Sequence, residues 1–156
     1  MTDSATEPSI VVIGYGSELR GDDAVGQHIA AAVAEWNIPN IRALAVHQLT
    51  PELAAVLASA QFAIFADASA DPHQTEARIE SLEYEGATTT IFHSATPQSL
   101  IALSQSVYDQ SPQAWLVSVP TDTFEFGAEL TPTAQHGMET ALEHIKILIS
   151  ELLTAR

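Results

Sequence analysis

The sequence predicts an α/β protein: a single three-layer α/β/α sandwich with a mostly parallel, twisted sheet of about five strands and helices on both faces. Apolar runs typical of strands buried on both faces alternate with segments whose apolar residues follow the period of a helix. Such alternation is typical of right-handed strand–helix–strand units. No repeat, low-complexity tract or linker divides the 156 residues, which indicates one domain.

The strands are predicted from the apolar runs. The strongest candidates are residues 9–15, 41–46, 62–66 and 115–119. Two weaker candidates are residues 77–84 and 89–92. Residues 1–8 read as a flexible leader with no features of a signal peptide, which leaves 9–156 as the domain.

Four helices are predicted between and after these strands. The first begins near Asp23, with Asp22 as a candidate cap, and ends before Pro39. The other three begin at a Thr-Pro pair, with threonine as the N-cap and proline at the first helical position. These pairs are Thr50–Pro51, Thr96–Pro97 and Thr131–Pro132.

Composition excludes several classes of function. Five Lys and Arg against twenty Asp and Glu give a formal net charge of −15, which opposes binding to nucleic acid and to anionic membranes. No apolar stretch reaches the roughly 18 residues that a membrane span requires. The absence of cysteine excludes disulfides, thiolate metal ligands and cysteine nucleophiles. We expect a cytoplasmic monomer.

The loop GYGSELRGDDAVG, residues 14–26, follows the first strand and resembles a nucleotide-binding turn. A G-x-G-x-x-G fingerprint that starts at Gly14 would need glycine at position 19, where the chain has Leu19. The acidic pair at Asp22 and Asp23 would repel a pyrophosphate at the helix N-terminus. We therefore expect no nucleotide cofactor and keep a nucleotide-binding domain only as the weaker alternative.

Three side chains that could bind a metal follow or flank predicted strands. Asp23 lies after the first strand, Asp67 directly follows FAIFA, and His93 directly follows TTTIF. Because the carboxyl ends of parallel strands lie at one edge of a sheet, we expect these three residues to meet there. Two carboxylates and an imidazole suit a divalent ion such as nickel, zinc, iron or cobalt. The other five histidines lack such a context and read as surface or packing residues.

The residues of these segments resemble the nickel-iron hydrogenase maturation endopeptidases, which trim the C-terminal extension of the hydrogenase large-subunit precursor. The resemblance spans roughly residues 10–153. Its landmarks are GYGSELRGDDAVG for the pattern G-x-G-x-x-L-x-x-D-D-x-x-G, the aspartate of IFADAS, the histidine of HSATPQSLIAL, and LTPT before the last helix. The segment HQLTPELA resembles the branch that serves NAD-linked bidirectional hydrogenases.

The resemblance implies a function and a site. Asp23, Asp67 and His93 fall on the three positions that bind metal in the family, and they are also the candidate catalytic residues. The nickel is supplied by the substrate, so the implied partner is the nickel-loaded large-subunit precursor. The chain departs from the family pattern at Ser17, where asparagine is usual, at Ala24, where glycine is common, and at Asp23, where glutamate is often found.

The sequence leaves two questions open: whether the protein cuts its partner, and what Arg20 contacts. A nickel-binding maturation chaperone could use the same three residues without cutting, since no nucleophile is evident. Arg20 either contacts the substrate or pairs with Glu18 or Asp22 on the surface.

Overall fold

The computed structural model describes residues 9–83, 95–127 and 129–154, and within them it confirms the predicted α/β class. Five strands form one sheet in the order β2-β1-β3-β5-β4. The first four of these are parallel to their neighbours, and β4 runs antiparallel to β5 at the edge. The strands are β1 (Ile10–Tyr15), β2 (Ile41–Val46), β3 (Phe62–Ala68), β4 (Arg78–Ser81) and β5 (Gln113–Val119).

Four α-helices cover the two faces of the sheet. They are α1 (Val25–Ala34), α2 (Leu53–Ala58), α3 (Pro97–Tyr108) and α4 (Pro132–Thr154). A 3₁₀ turn, Gly21–Ala24, leads into α1. None of the described helices is both long and apolar enough to cross a bilayer.

The pleat of the strands divides the core into two layers. Along β1, Ile10 and Val12 pack with α1 and α4 on one face, whereas Val11 and Ile13 pack with α2 and α3 on the other. Because β1 and β3 lie inside the sheet and are covered on both faces, β1 and residues 62–66 of β3 carry no charged side chain, and Asp67 follows near the end of β3.

The helix starts show which capping predictions were right. Thr96 caps α3, since its side chain accepts a 3.0 Å hydrogen bond from the Ser99 amide, and Ser99 Oγ accepts one of 2.8 Å from the Thr96 amide. The prediction for Thr50 was wrong: α2 has Glu52 at its N-cap, with no side-chain cap, because the Thr50 carbonyl closes a preceding turn with the Leu53 amide. At α4, Thr131 Oγ1 accepts from the Ala134 amide at 3.3 Å, as predicted.

Two predicted boundaries also differ from the structure. Asp67 lies within β3 rather than after it, opposite Ser118 of β5, because strand pairing continues through Ala68. The weaker strand candidate at 77–84 is the short antiparallel β4. The candidate strand 89–92 and the leader 1–8 lie outside the described residues.

Two glycines allow α1 to pack directly against the sheet. A Cβ atom on Gly14 would overlap the carbonyl oxygen of Gly26 across the β1–α1 interface. A Cβ on Gly26 would lie 2.5 Å from the carbonyl oxygens of both Tyr15 and Ala66. No side chain therefore fits between the start of α1 and the carboxyl ends of β1 and β3. This contact determines where the residues just before α1 are placed.

We expect Gly26→Ala to lower the free energy of unfolding by about 3 kcal/mol, since overpacking of this kind costs on that order. The direction of this change is informative, because replacing glycine by alanine at an exposed helical site would raise the free energy of unfolding by about 1 kcal/mol instead. The measurement is urea denaturation. Ala31→Gly at an exposed position of the same helix is the control, with an expected loss of only about 1 kcal/mol. A stabilised Gly26→Ala variant would contradict the close contact.

Candidate functional site

The segment between β1 and α1 holds Asp23 at the carboxyl edge of the sheet. The Ser17 amide donates a 2.8 Å hydrogen bond to Asp23 Oδ2 and closes the loop onto the 3₁₀ turn. From the other side, Gln27 Nε2 donates to the Gly16 carbonyl oxygen at 2.6 Å. Asp23 is only partly buried. One carboxylate oxygen is thus held by the loop, and the side chain remains partly open to solvent.

Asp67 approaches the same edge from β3. Its Oδ1 accepts a 2.8 Å hydrogen bond from the Ala68 amide, and the Tyr15 hydroxyl donates to the same carboxylate. The pKa of Asp67 is raised to about 6: burial is the main cause, the two hydrogen bonds oppose it, and the nearby charge of Asp23 adds a smaller increase. Burial and the Asp67 carboxylate also raise the pKa of Tyr15, which keeps its hydroxyl protonated as a donor.

The structure therefore brings two of the three predicted site residues together. Asp23 lies close enough to Asp67 for its charge to disfavour ionisation of the second carboxylate. No Lys, Arg or His within the described ranges forms an ion pair with either one. A bound cation would relieve this repulsion and favour the ionised pair. The metal role of the two aspartates stays a prediction.

The third predicted ligand, His93, lies outside the described residues. Within residues 9–83, 95–127 and 129–154, no group of three or more His, Cys, Asp or Glu side chains is placed to hold a metal ion. The segment that carries His93 joins β4 to α3. The described part of the site is thus a carboxylate pair with a tyrosine donor, in which the pKa of Asp67 is raised to about 6.

Asp22 has a different role from the predicted helix cap, because its side chain makes no capping hydrogen bond at the start of α1. This fully buried carboxylate accepts from the amides of Thr131 at 2.8 Å, Asp122 at 2.7 Å and Thr123 at 3.3 Å, and from Thr131 Oγ1 at 2.7 Å. Burial opposes its ionisation, but these hydrogen bonds outweigh burial and lower the pKa of Asp22. Asp22 thereby fastens the loop after β5 and the start of α4 to the 3₁₀ turn.

The remaining candidates lie at the surface. Of the other histidines, His28, His47, His73 and His136 are exposed and His144 is partly buried. Arg20 is exposed and forms no ion pair with a described residue, so of its two open alternatives the pairing with Glu18 or Asp22 is not formed. Tyr15 was missed from sequence. Its position at the end of β1, next to β3, was the available signal.

The fold and this edge define the class of protein: a three-layer α/β domain with a carboxylate pair at the carboxyl ends of its central parallel strands. Solved structures with a similar fold include hydrogenase maturation endopeptidases. HybD from Escherichia coli is similar with a TM-score of 0.72 and 23% identity, over 92% of this chain and 93% of that chain. The resemblance inferred from sequence is thus confirmed in the fold.

Two further solved structures share the fold. The NiFe hydrogenase maturation protease HycI from Thermococcus kodakarensis KOD1 has a TM-score of 0.69 and 19% identity, over 96% of this chain and 94% of that chain. A solution structure of an endopeptidase from Escherichia coli has a TM-score of 0.68 and 25% identity, over 92% of this chain and 93% of that chain. No protein-family model and no curated protein sequence matches the chain.

Because the pKa of Asp67 is raised in the folded protein, we expect its ionised carboxylate to lower the free energy of unfolding. Because the folded state binds the proton more tightly, this cost is absent below the ordinary pKa of 3.8, grows as the pH rises, and is complete above about pH 6. We expect Asp67→Asn to increase the free energy of unfolding by roughly 1–2 kcal/mol at pH 7.5 and to leave it unchanged below pH 4. Urea denaturation in buffer with a chelator measures this difference. Glu139→Gln, at an exposed site, should show no such pH-dependent gain, and a destabilised Asp67→Asn variant at pH 7.5 would refute the prediction.

In contrast to Asp67→Asn, Asp22→Ala should lower the free energy of unfolding by about 3 kcal/mol at pH 7, because the substitution leaves the hydrogen-bond donors of the loop after β5 unpaired. The lowered pKa means that Asp22 stabilises the fold above its ordinary pKa of 3.8 and loses this effect as the pH falls through the folded value. The difference in the free energy of unfolding between wild type and Asp22→Ala should therefore become smaller at acid pH. Asp122→Asn changes an exposed side chain and should stay within about 0.5 kcal/mol of wild type. Equal stability of Asp22→Ala and wild type at pH 7 would overturn the structural role of Asp22.

Proposed function

We propose that this protein is an endopeptidase that removes the C-terminal extension of a nickel-iron hydrogenase large-subunit precursor after nickel insertion. Two independent lines support the proposal. The sequence motif around Asp23 resembles that of the maturation endopeptidases, and solved structures with the same fold carry that description. The observation that carries it is the neighbouring pair Asp23 and Asp67, with which no described cationic side chain forms an ion pair.

In this proposal the nickel ion belongs to the substrate, and Asp23, Asp67 and His93 bind it when the precursor docks. An oxygen and nitrogen ligand set of this kind suits nickel and leaves coordination positions open for groups of the substrate. Contact with the ion would lower the pKa of Asp67 and draw it into the ionised form. Tyr15 would keep the carboxylate oriented through its hydrogen bond.

Peptide hydrolysis then has a simple physical route. An ion that polarises the scissile carbonyl oxygen would make the carbonyl carbon electrophilic. A water molecule could then attack that carbon, the C–N bond would break, and the amine would leave with a proton from the water, without any nucleophile from this chain. The alternative is a maturation chaperone that binds nickel through the same three residues without cutting. Both functions need the carboxylate pair, and only the first releases a peptide.

The decisive experiment incubates the protein with nickel-loaded and nickel-free large-subunit precursor and follows the mass of the C-terminal peptide. We expect cleavage of the nickel-loaded form alone. Asp67→Asn and His93→Ala should each reduce the rate by at least about 100-fold, because removal of an interaction formed in the transition state costs on this scale. His136→Ala, at an exposed position of α4, should cleave as wild type does.

Each other outcome is informative. Absence of cleavage together with nickel-dependent binding of the precursor would favour the chaperone. Equal cleavage of both forms would refute recognition through nickel. Because Asp67→Asn is expected to fold more stably than wild type, loss of its activity could not be assigned to unfolding.

A further inference from the structure

Three of the exposed large apolar side chains lie on two loops beside the carboxylate pair. Leu19 is 56% exposed, Phe124 is 37% exposed and Phe126 is 72% exposed. Leu19 belongs to the loop that precedes Asp23, and both phenylalanines belong to the loop that follows β5. We call these three side chains the apolar loop surface. Single exposed apolar residues are common, but a group on adjoining loops is typical of an interaction site.

Backbone hydrogen bonds hold the two loops together. The Gly127 amide donates to the Leu19 carbonyl oxygen at 2.7 Å, and the Asp22 amide donates to the Thr123 carbonyl oxygen at 2.9 Å. The buried Asp22 carboxylate accepts hydrogen bonds from the same loop. The apolar loop surface is therefore presented by a fixed backbone, which lowers the entropy cost of binding.

The same loops also reach the carboxylate pair. Ser17, two residues before Leu19, donates to Asp23 Oδ2. At the other end, Thr121 Oγ1 donates a 2.7 Å hydrogen bond to the carbonyl oxygen of Ser69, two residues after Asp67. A chain bound on the apolar loop surface would thus lie next to Asp23 and Asp67.

The charge around this surface indicates which partner fits it. Four exposed carboxylates flank the apolar side chains, Glu18, Asp122, Glu125 and Glu129, against one exposed cation, Arg20. Glu18 and Glu129 also line an open cavity of about 400 Å³ together with His28 and Gln135. Acidic side chains around an apolar centre complement a partner with apolar residues flanked by Lys or Arg.

We propose that the apolar loop surface docks a segment of the protein substrate that carries apolar side chains flanked by basic ones. The proposal rests on the proposed function, since its partner is the same large-subunit precursor. In this proposal the apolar loop surface binds the polypeptide of the substrate, and the carboxylate pair binds its metal ion. The apolar loop surface would contribute to affinity and the carboxylate pair to the reaction.

The test measures binding and cleavage of nickel-loaded precursor by the double variant Leu19→Ser/Phe126→Ser. We expect Kd and KM to rise by about tenfold or more, as for the loss of central apolar contacts, while kcat changes less than about twofold. Ile147→Ser is the matched control, because Ile147 is 58% exposed on α4 and lies far along the helix from these loops. Unchanged Kd and KM in the double variant would overturn the proposal.

The basic character of the partner is tested separately. Glu125→Lys should weaken binding, and the difference from wild type should decrease as salt screens the charges. Glu143→Lys, at an exposed site of α4, is the control and should have a smaller effect. Equal affinity of wild type and Glu125→Lys at low salt would refute the charge complementarity. A change of oligomeric state in Leu19→Ser/Phe126→Ser, with unchanged precursor affinity, would assign the surface to contact between copies of this chain instead.

These outcomes separate the two proposals. Cleavage by wild type with normal binding of the double variant would refute docking at this surface and leave the peptidase intact. Binding that requires the apolar loop surface, without any cleavage, would refute the peptidase and support the docking surface.

Discussion

The contact between the start of α1 and the strands β1 and β3 is the constraint on which the site depends. Gly14 and Gly26 remove the side chains that would otherwise separate the helix from the sheet. The chain must then turn tightly between Tyr15 and Val25, and the turn holds Asp23 at the carboxyl edge beside Asp67. The close packing of α1 on β1 and β3 thus places the Asp23 carboxylate near the Asp67 carboxylate. The pKa of Asp67 is raised mainly by burial and to a smaller extent by Asp23, and a carboxyl group with such a raised pKa is typical of functional sites.

Asp22 and Asp23 show how adjacent residues of one type acquire different functions. Asp22 is buried and surrounded by donors, so its carboxylate is stabilised in the ionised form and fastens the loop after β5. Asp23 is partly exposed and has one hydrogen bond from the loop, which leaves it available to a ligand. Asp22 thus has a structural role, and Asp23, held by the same turn, remains accessible to a ligand. Consecutive residues in a 3₁₀ turn point in different directions, which makes this division possible.

Much of the fold was predictable because its signals are local. Continuous apolar runs correctly indicated β1 and β3, and the Thr-Pro pairs correctly marked the starts of α3 and α4. The Thr50 cap and the Asp22 cap were wrong for different reasons. At Thr50 the backbone carbonyl closes a turn with the Leu53 amide, so α2 begins later than predicted. The Asp22 error concerns the side chain. A side-chain oxygen near a helix start has several possible donors, and the choice depends on which loops pack against it. For Asp22 the donors lie about 100 residues away along the chain.

The sequence by itself determined the α/β class, the alternation of strands and helices, and the placement of Asp23 and Asp67 near the carboxyl ends of two strands. These follow from hydrophobic periodicity and turn chemistry, which act over a few residues. Tertiary structure decided that Tyr15 donates to Asp67, that Asp22 binds the loop after β5, and that the loop of Leu19 is joined by a backbone hydrogen bond to the loop of Phe124 and Phe126. Each is a contact between segments distant in sequence, and only the packing of the helices on the sheet brings those segments together.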